Sequence, residues 1–173
     1  MALPFQRISA QYQVRRIAER DLPELLKLAQ ENPTYYEYLH EQPRLETLRE
    51  DLTRLPPWTT PEDKYFLGFY QGGRLCAALD LIVRYPNPET AFIGWFILRK
   101  DLQGRGVGTE MVNDLLAFLK EQGFLYVRLG YVKGNPESRA FWVKNRFTPT
   151  GIEPEGDGYT MVVMQRTLAG PDR

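Results

Sequence analysis

The chain has 173 residues, 43% of them hydrophobic and 25% charged, which is enough for one domain, 1–173, with a packed core and excludes a disordered chain. Lysine plus arginine and aspartate plus glutamate both number 22, so no global field draws the chain to nucleic acid or to an anionic membrane. One cysteine, Cys76, and one histidine, His40, exclude an internal disulfide and a cysteine-rich metal site, and no metal is expected.

Tyr12 to Ala18 reads as a first strand. Asp21 is the expected N-cap of a helix with Pro23 in its first turn and Leu22, Leu25, Leu26 and Ala29 on one face. Tyr35, Tyr36 and Tyr38 cluster in a loop or short helical turn, and His40 follows as a solvated loop residue. A second helix is expected over Pro43 to Leu55, with Leu45, Leu48, Leu52 and Leu55 on one side and Pro56-Pro57 as its stop. Lys64 to Tyr70 and Arg74 to Val83 are strands joined by Gln71-Gly72-Gly73, a hairpin signal. The apolar setting of Cys76 suits a core side chain rather than a nucleophile. Tyr85 to Thr90 is a turn, Ala91 to Leu98 a strand, and Val107 to Gln122 an amphipathic helix with Gly123 as C-cap. Leu125 to Val132 is a strand, Asn135 caps a helix with Pro136 in first position, and Tyr159 to Leu168 is the last strand. Strands followed by β-α-β-α-β imply an α/β (α+β) fold: a mixed central sheet with helices on both faces. No apolar run reaches membrane-spanning length and the N-terminus lacks signal-peptide regions, so the expectation is no membrane and a cytoplasmic location.

The stretch Gln103, Gly104, Arg105, Gly106, Val107, Gly108, Thr109 lies between the apolar strand Ala91 to Leu98 and a helix start. Glycines let backbone approach a ligand, and unpartnered first-turn N–H groups favour an anion. A Walker-type loop needs a lysine that Gly108-Thr109 lacks, and a dinucleotide G-x-G-x-x-G fails at its sixth position, Thr109. The pattern Q/R-x-x-G-x-G/A is satisfied by Gln103, Gly106 and Gly108. One helix and one strand later come Asn135, Ser138, Phe141, Trp142, Lys144 and Phe147. In both blocks the chain resembles the GNAT N-acetyltransferase superfamily, strongly from about Lys64 to Phe147.

The resemblance implies the GNAT fold and acetyl-CoA as cofactor. It implies that the main chain of Phe96, Ile97 and Leu98 bonds the pantetheine arm like an added strand, with a backbone N–H there polarising the thioester carbonyl. It implies that Gln103 to Thr109 hold the pyrophosphate and that Asn135, Ser138, Phe141 and Trp142 lie beside the CoA. It makes Tyr35 and Tyr36 part of an acceptor wall. Many family members carry a tyrosine acid where Trp142 stands, and indole N–H is too weak an acid to replace it. Tyr131 is the nearest alternative in sequence.

No carboxylate stands on Ala91 to Leu98, and the position five before Asn135 is Gly130. Asp80, in an apolar strand, is then the remaining carboxylate, as general base, as contact to the substrate ammonium, or as ion-pair partner of Arg84 or Arg128. The family's Gly before the final Phe is replaced, so Asn145 or Arg146 must take the left-handed position. The implied reaction is acetyl transfer to a primary amine of a small molecule or a protein. The acids Glu37, Glu41, Glu46, Glu50 and Asp51 leave polycations open as acceptors. A non-catalytic CoA-binding sensor is the second reading, a fold-only scaffold the third, and a homodimer is compatible with the family.

Overall fold

The computed structural model describes residues 2–168. Among them seven strands form one sheet in the order β1-β2-β3-β4-β5-β7-β6. The strands are β1 (Gln13–Arg16), β2 (Lys64–Gln71), β3 (Arg74–Val83), β4 (Thr90–Leu98), β5 (Tyr126–Val132), β6 (Thr148–Pro149) and β7 (Met161–Thr167). The helices are α1 (Leu22–Gln30), α2 (Pro33–Leu39), α3 (Leu45–Asp51), α4 (Val107–Glu121) and α5 (Pro136–Lys144). All neighbouring pairs are antiparallel except β4 with β5, which the α4 crossover makes parallel.

Side-chain alternation splits the core in two. Leu67, Leu79, Ile93 and Leu129 meet Met111, Leu115 and Leu119 of α4 on one face. Phe66, Tyr70, Leu75 and Ala78 meet Leu22, Leu25 and Leu28 of α1 on the other. Helices on both faces of a mixed sheet are the architecture that the strand and helix order implied.

Several local expectations need correction. The first strand is shorter than Tyr12 to Ala18, because the Tyr12 N–H turns back to Ser9 Oγ. Asp21 does not cap α1 with its side chain. Its carboxylate accepts from the Ala18 N–H at 2.8 Å and from Nη1 and Nη2 of Arg15, so it closes the turn before the helix. The helix expected over Pro43 to Leu55 runs only from Leu45 to Asp51. Arg44 is extended, and Leu52 to Arg54 close as turns ahead of Pro56-Pro57, which bias the residue before them away from helix. The tyrosine cluster is helical, in α2, and exposed His40 ends it in the left-handed region at φ 56°. The last strand starts at Met161, two residues late.

At the end of α5 the left-handed residue is Arg146, φ 67°, and not Asn145. The Asn145 side chain is locked in place. Its Nδ2 donates to Phe141 O at 2.8 Å and approaches Thr109 Oγ1 at 3.4 Å, tying the end of α5 to the start of α4.

Candidate active site

The site begins with a gap in the sheet. β4 and β5 pair from Thr90↔Tyr126 to Ile93↔Leu129 and then separate, although β4 continues to Leu98 and β5 to Val132. Beyond Ile93 the β5-facing edge of β4 therefore has no strand beside it among the described residues. A free edge of this kind is open to strand-like addition by a ligand.

A cavity of about 530 Å3 lies along this edge. Phe96, Ile97 and Leu98 line it from β4, Gly104, Gly106, Gly108 and Thr109 from the loop into α4, and Asn135, Ser138, Phe141 and Trp142 from α5. The loop needs its glycines for two different reasons. Gly104 and Gly106 sit at φ 75° and 78° with open space around them, whereas a Cβ on Gly108 would come within 3.1 Å of the Phe141 ring. Val107 opens a helix of 15 residues, whose first-turn N–H groups have no partner inside the helix. Asn135, buried at 3% exposure, caps α5 by accepting from the Glu137 and Ser138 N–H groups.

Gln103 has a role the sequence did not show. Its Nε2 donates to Asn32 Oδ1 at 2.6 Å and to Leu98 O at 2.9 Å, and Asn32 Nδ2 also donates to Leu98 O. The side chain is a clasp between the loop, the end of β4 and the α1–α2 junction. Asn32, Lys100 and Lys144 line the cavity too and were missed by sequence reasoning. For the lysines, the signal was position: Lys100 stands shortly before the glycine loop, and Lys144 belongs to the second block itself but was given no role. Asn32, far away in sequence, carried none.

A second cavity, about 450 Å3, opens on the α1–α3 side of the sheet, and Tyr35 lines both. Its floor is an ion pair: Lys64 Nζ lies 2.8 Å from Asp80 Oδ1 and donates to Oδ2 at 3.0 Å. The two side chains are 7% and 15% exposed. Burial pushes the Asp80 carboxyl up to about 6. Lys64 pulls against that rise and Asp51 adds to it. Burial also raises Asp51, and it raises the Tyr35 and Tyr36 hydroxyls well above the ordinary tyrosine range, so both phenols are neutral donors. Gly94 is the extra residue of a bulge in β4 opposite Asp80 and Leu81.

Of the cofactor residues named from sequence, Arg105 and Val107 do not line the first cavity and the other twelve do. Tyr36 and Asp80 line the second. Asp80 pairs with neither Arg84 nor Arg128. Arg84 Nη2 is 2.6 Å from Asp63, and Arg128 Nε donates to Gln165 at 2.7 Å. Lys64 is the partner instead. Tyr131 lines neither cavity. It is 9% exposed and lies in the α4-side core cluster, while Asp80 opens on the opposite side of the sheet. Cys76 is buried, and burial raises its thiol although Arg99 Nη1 is 3.7 Å away, as suits a core side chain. Among the described residues no group of three or more His, Cys, Asp or Glu could hold a metal, and no helix is long and apolar enough to cross a membrane.

No curated protein matches the chain in sequence. Solved structures do match in fold. An acetyltransferase from Thermus thermophilus superposes with a TM-score of 0.72 at 23% identity, covering 91% of this chain and 97% of that one. The acetyl transferase of Salmonella typhimurium that modifies the N-terminal serine of ribosomal protein L7/L12 gives 0.71 at 18% identity, covering 92% and 96%. The PaiA N-acetyltransferase of Thermoplasma acidophilum, in complex with coenzyme A, gives 0.64 at 20% identity, covering 90% and 98%. The sequence profile of the Acetyltransferase (GNAT) family matches residues 10–147. With that match over most of its length, the chain belongs to the GNAT family of acetyltransferases.

Proposed function

We propose that residues 1–173 form one acetyl-CoA-dependent N-acetyltransferase domain acting on a primary amine. The observation that carries this reading is the junction of two cavities at Tyr35, one running along a free strand edge and one floored by a raised carboxyl. The residues present fit the cofactor. The free edge of β4 suits a pantetheine amide chain. The glycine loop at the start of α4, with Lys100 and Lys144 on the same cavity, suits a pyrophosphate. Asn135 Oδ1 is engaged in capping, which leaves its amide NH2 as the end that meets a ligand. Bound acetyl-CoA supplies an acyl thioester.

The protein's own groups must place and deprotonate the acceptor. An amine arrives mostly as ammonium at neutral pH. Asp80, with an ordinary range displaced to about 6, is ionised at pH 7 yet basic enough to take that proton directly or through water. The loss of the second N–H proton on amide formation supplies the proton that the leaving thiolate needs. Tyr35, at the junction, keeps its hydroxyl proton and is available as a donor there. Trp142, 8% exposed and packed edge-on against Phe141 and Phe147, serves as a wall.

Thiol release from acetyl-CoA against a broad amine panel, beside calorimetry of CoA binding, tests the reading. Turnover of one amine class, lost with CoA binding in Gly106→Trp, is the expected result. CoA binding without turnover on any amine would favour a sensor, and no CoA binding would overturn the proposal.

A further inference from the structure

Two connected series of rings border the second cavity, and every member of them except Trp58 lines it. On one side Tyr36 contacts Tyr35 at 5.1 Å, Tyr35 contacts Trp95 at 6.4 Å, and Trp95 contacts Phe66 at 6.0 Å. On the other side Phe92 meets Tyr85 edge-on at 5.4 Å, and Tyr85 meets Trp58 at 6.0 Å. Trp58 is 75% exposed, the most exposed large hydrophobic side chain among the described residues. Its backbone is left-handed, φ 54°, an unfavourable setting for a bulky residue. Thr59 holds the turn by donating both its N–H and its Oγ1 to Pro56 O. Exposed apolar area and unfavourable backbone coincide where the Tyr85 series reaches the surface.

Charge on the cavity is balanced. Glu41, Asp51 and Asp80 face Arg44, Arg54 and Lys64. Two of the three cations are already engaged, Lys64 with Asp80 and Arg54 with Asp51 at 2.9 Å. The acids Glu37, Glu46 and Glu50 do not line it. Three acids matched by three cations give a polycation no net attraction. A volume of about 450 Å3 suits a small molecule.

Resting on the acetyltransferase reading above, we infer that the acceptor is a small primary amine carrying an aromatic ring, and that Tyr85, with Trp58 packed against it, selects the ring. The ammonium end meets Asp80 on the floor, and the ring lies between the two aromatic walls towards Trp58. Aromatic pairs add favourable contact beyond the area they bury, and a small aliphatic amine does not use it.

The test compares kcat/KM for 2-phenylethylamine, propylamine, putrescine and an alanine-terminated hexapeptide, in the native protein and in Trp58→Ala and Tyr85→Leu. CoA binding is checked first by calorimetry, and its absence would sink the acetyltransferase reading itself. With CoA bound, the expected result is a preference for 2-phenylethylamine over propylamine of roughly tenfold or more. That ratio falls by about three- to tenfold in either variant, the size of a lost aromatic pair. Preference for putrescine or the peptide, or a ratio unchanged in both variants, overturns the inference and leaves the acetyltransferase reading standing. If no amine turns over, calorimetry of 2-phenylethylamine with the CoA complex decides. Binding weakened in Tyr85→Leu supports the ring site, and no binding, or binding unchanged in that variant, overturns it.

Discussion

Gly94 stands directly against Asp80: a Cβ added to Gly94 would come within 3.0 Å of Asp80 Oδ2 and 3.3 Å of its Cγ. The absence of a side chain there leaves the carboxylate open to the cavity. Gly94→Ala must displace either the carboxylate or the Ile82 methyl, which is also 3.3 Å away. We expect kcat/KM for the acceptor to fall by roughly tenfold, on the order of 1.4 kcal/mol. The Kd for CoA should stay unchanged, because Gly94 does not line the first cavity. Steady-state kinetics with calorimetry on the same samples separates the two effects.

The Lys64–Asp80 pair makes activity pH-dependent in a defined direction. Asp80 must be ionised to accept a proton, so kcat/KM should rise with pH through about 6. Groups facing this carboxyl include Lys64, Asp51 and Arg54. Lys64 favours the ionised form, and removing it leaves burial and Asp51 unopposed by the nearest cation. In Lys64→Met the acid limb of the profile should move to higher pH. In Asp80→Asn it should vanish with most of the activity. An unmoved limb in Lys64→Met would assign the titration to another group.

Asn32 and Gln103 should act as a unit. Each holds the end of β4 through Leu98 O, and they bond one another at 2.6 Å. Either alanine substitution should weaken CoA binding by roughly fivefold, about 1 kcal/mol for a hydrogen bond of this kind. The double substitution should cost much less than the sum, because each single change already breaks the clasp. Calorimetric Kd values for the four proteins complete the cycle, and strict additivity would mean that the two side chains act separately.

Arg146 is exposed and left-handed at φ 67°, where an L side chain is strained and glycine is not. Arg146→Gly should stabilise the fold by about 1 kcal/mol, net of the extra freedom that glycine adds to the unfolded chain. Thermal melts read this as a Tm raised by a few degrees. A lowered Tm would mean that the Arg146 side chain makes contacts worth more than the strain.

Sequence alone was a good guide wherever a feature depends on local spacing. The hydrophobic period located α1 and α4, and the turn residues located the β2–β3 hairpin. The Asn135 cap was equally visible, since an asparagine followed by proline needs only its own helix to make sense. Twelve of the fourteen residues named for the cofactor line one cavity for the same reason: they come from three contiguous segments whose backbone forms the surface. Helix ends were less legible. The Leu45–Asp51 helix, the Asp21 carboxylate and Arg146 each depend on which neighbours compete for their polar groups.

The partner of Asp80 was decided only in three dimensions. Counting back from the hairpin turn, with Gln71 opposite Arg74 and Tyr70 opposite Leu75, places Lys64 opposite Leu81 and off the Asp80 face. A bulge between Phe69 and Tyr70 moves the register by one, so that Lys64 pairs with Ile82 and Phe66 with Asp80. Because side chains alternate with period two, that single-residue shift brings Lys64 onto the Asp80 face. A second bulge, at Gly94, clears the space above the carboxylate, and the parting of β4 from β5 after Ile93 opens the edge beside it. The glycine loop and the asparagine cap follow from short-range backbone preferences written along the chain. The ion pair, the open edge and the meeting of two cavities at Tyr35 follow from strand register, which long-range packing sets.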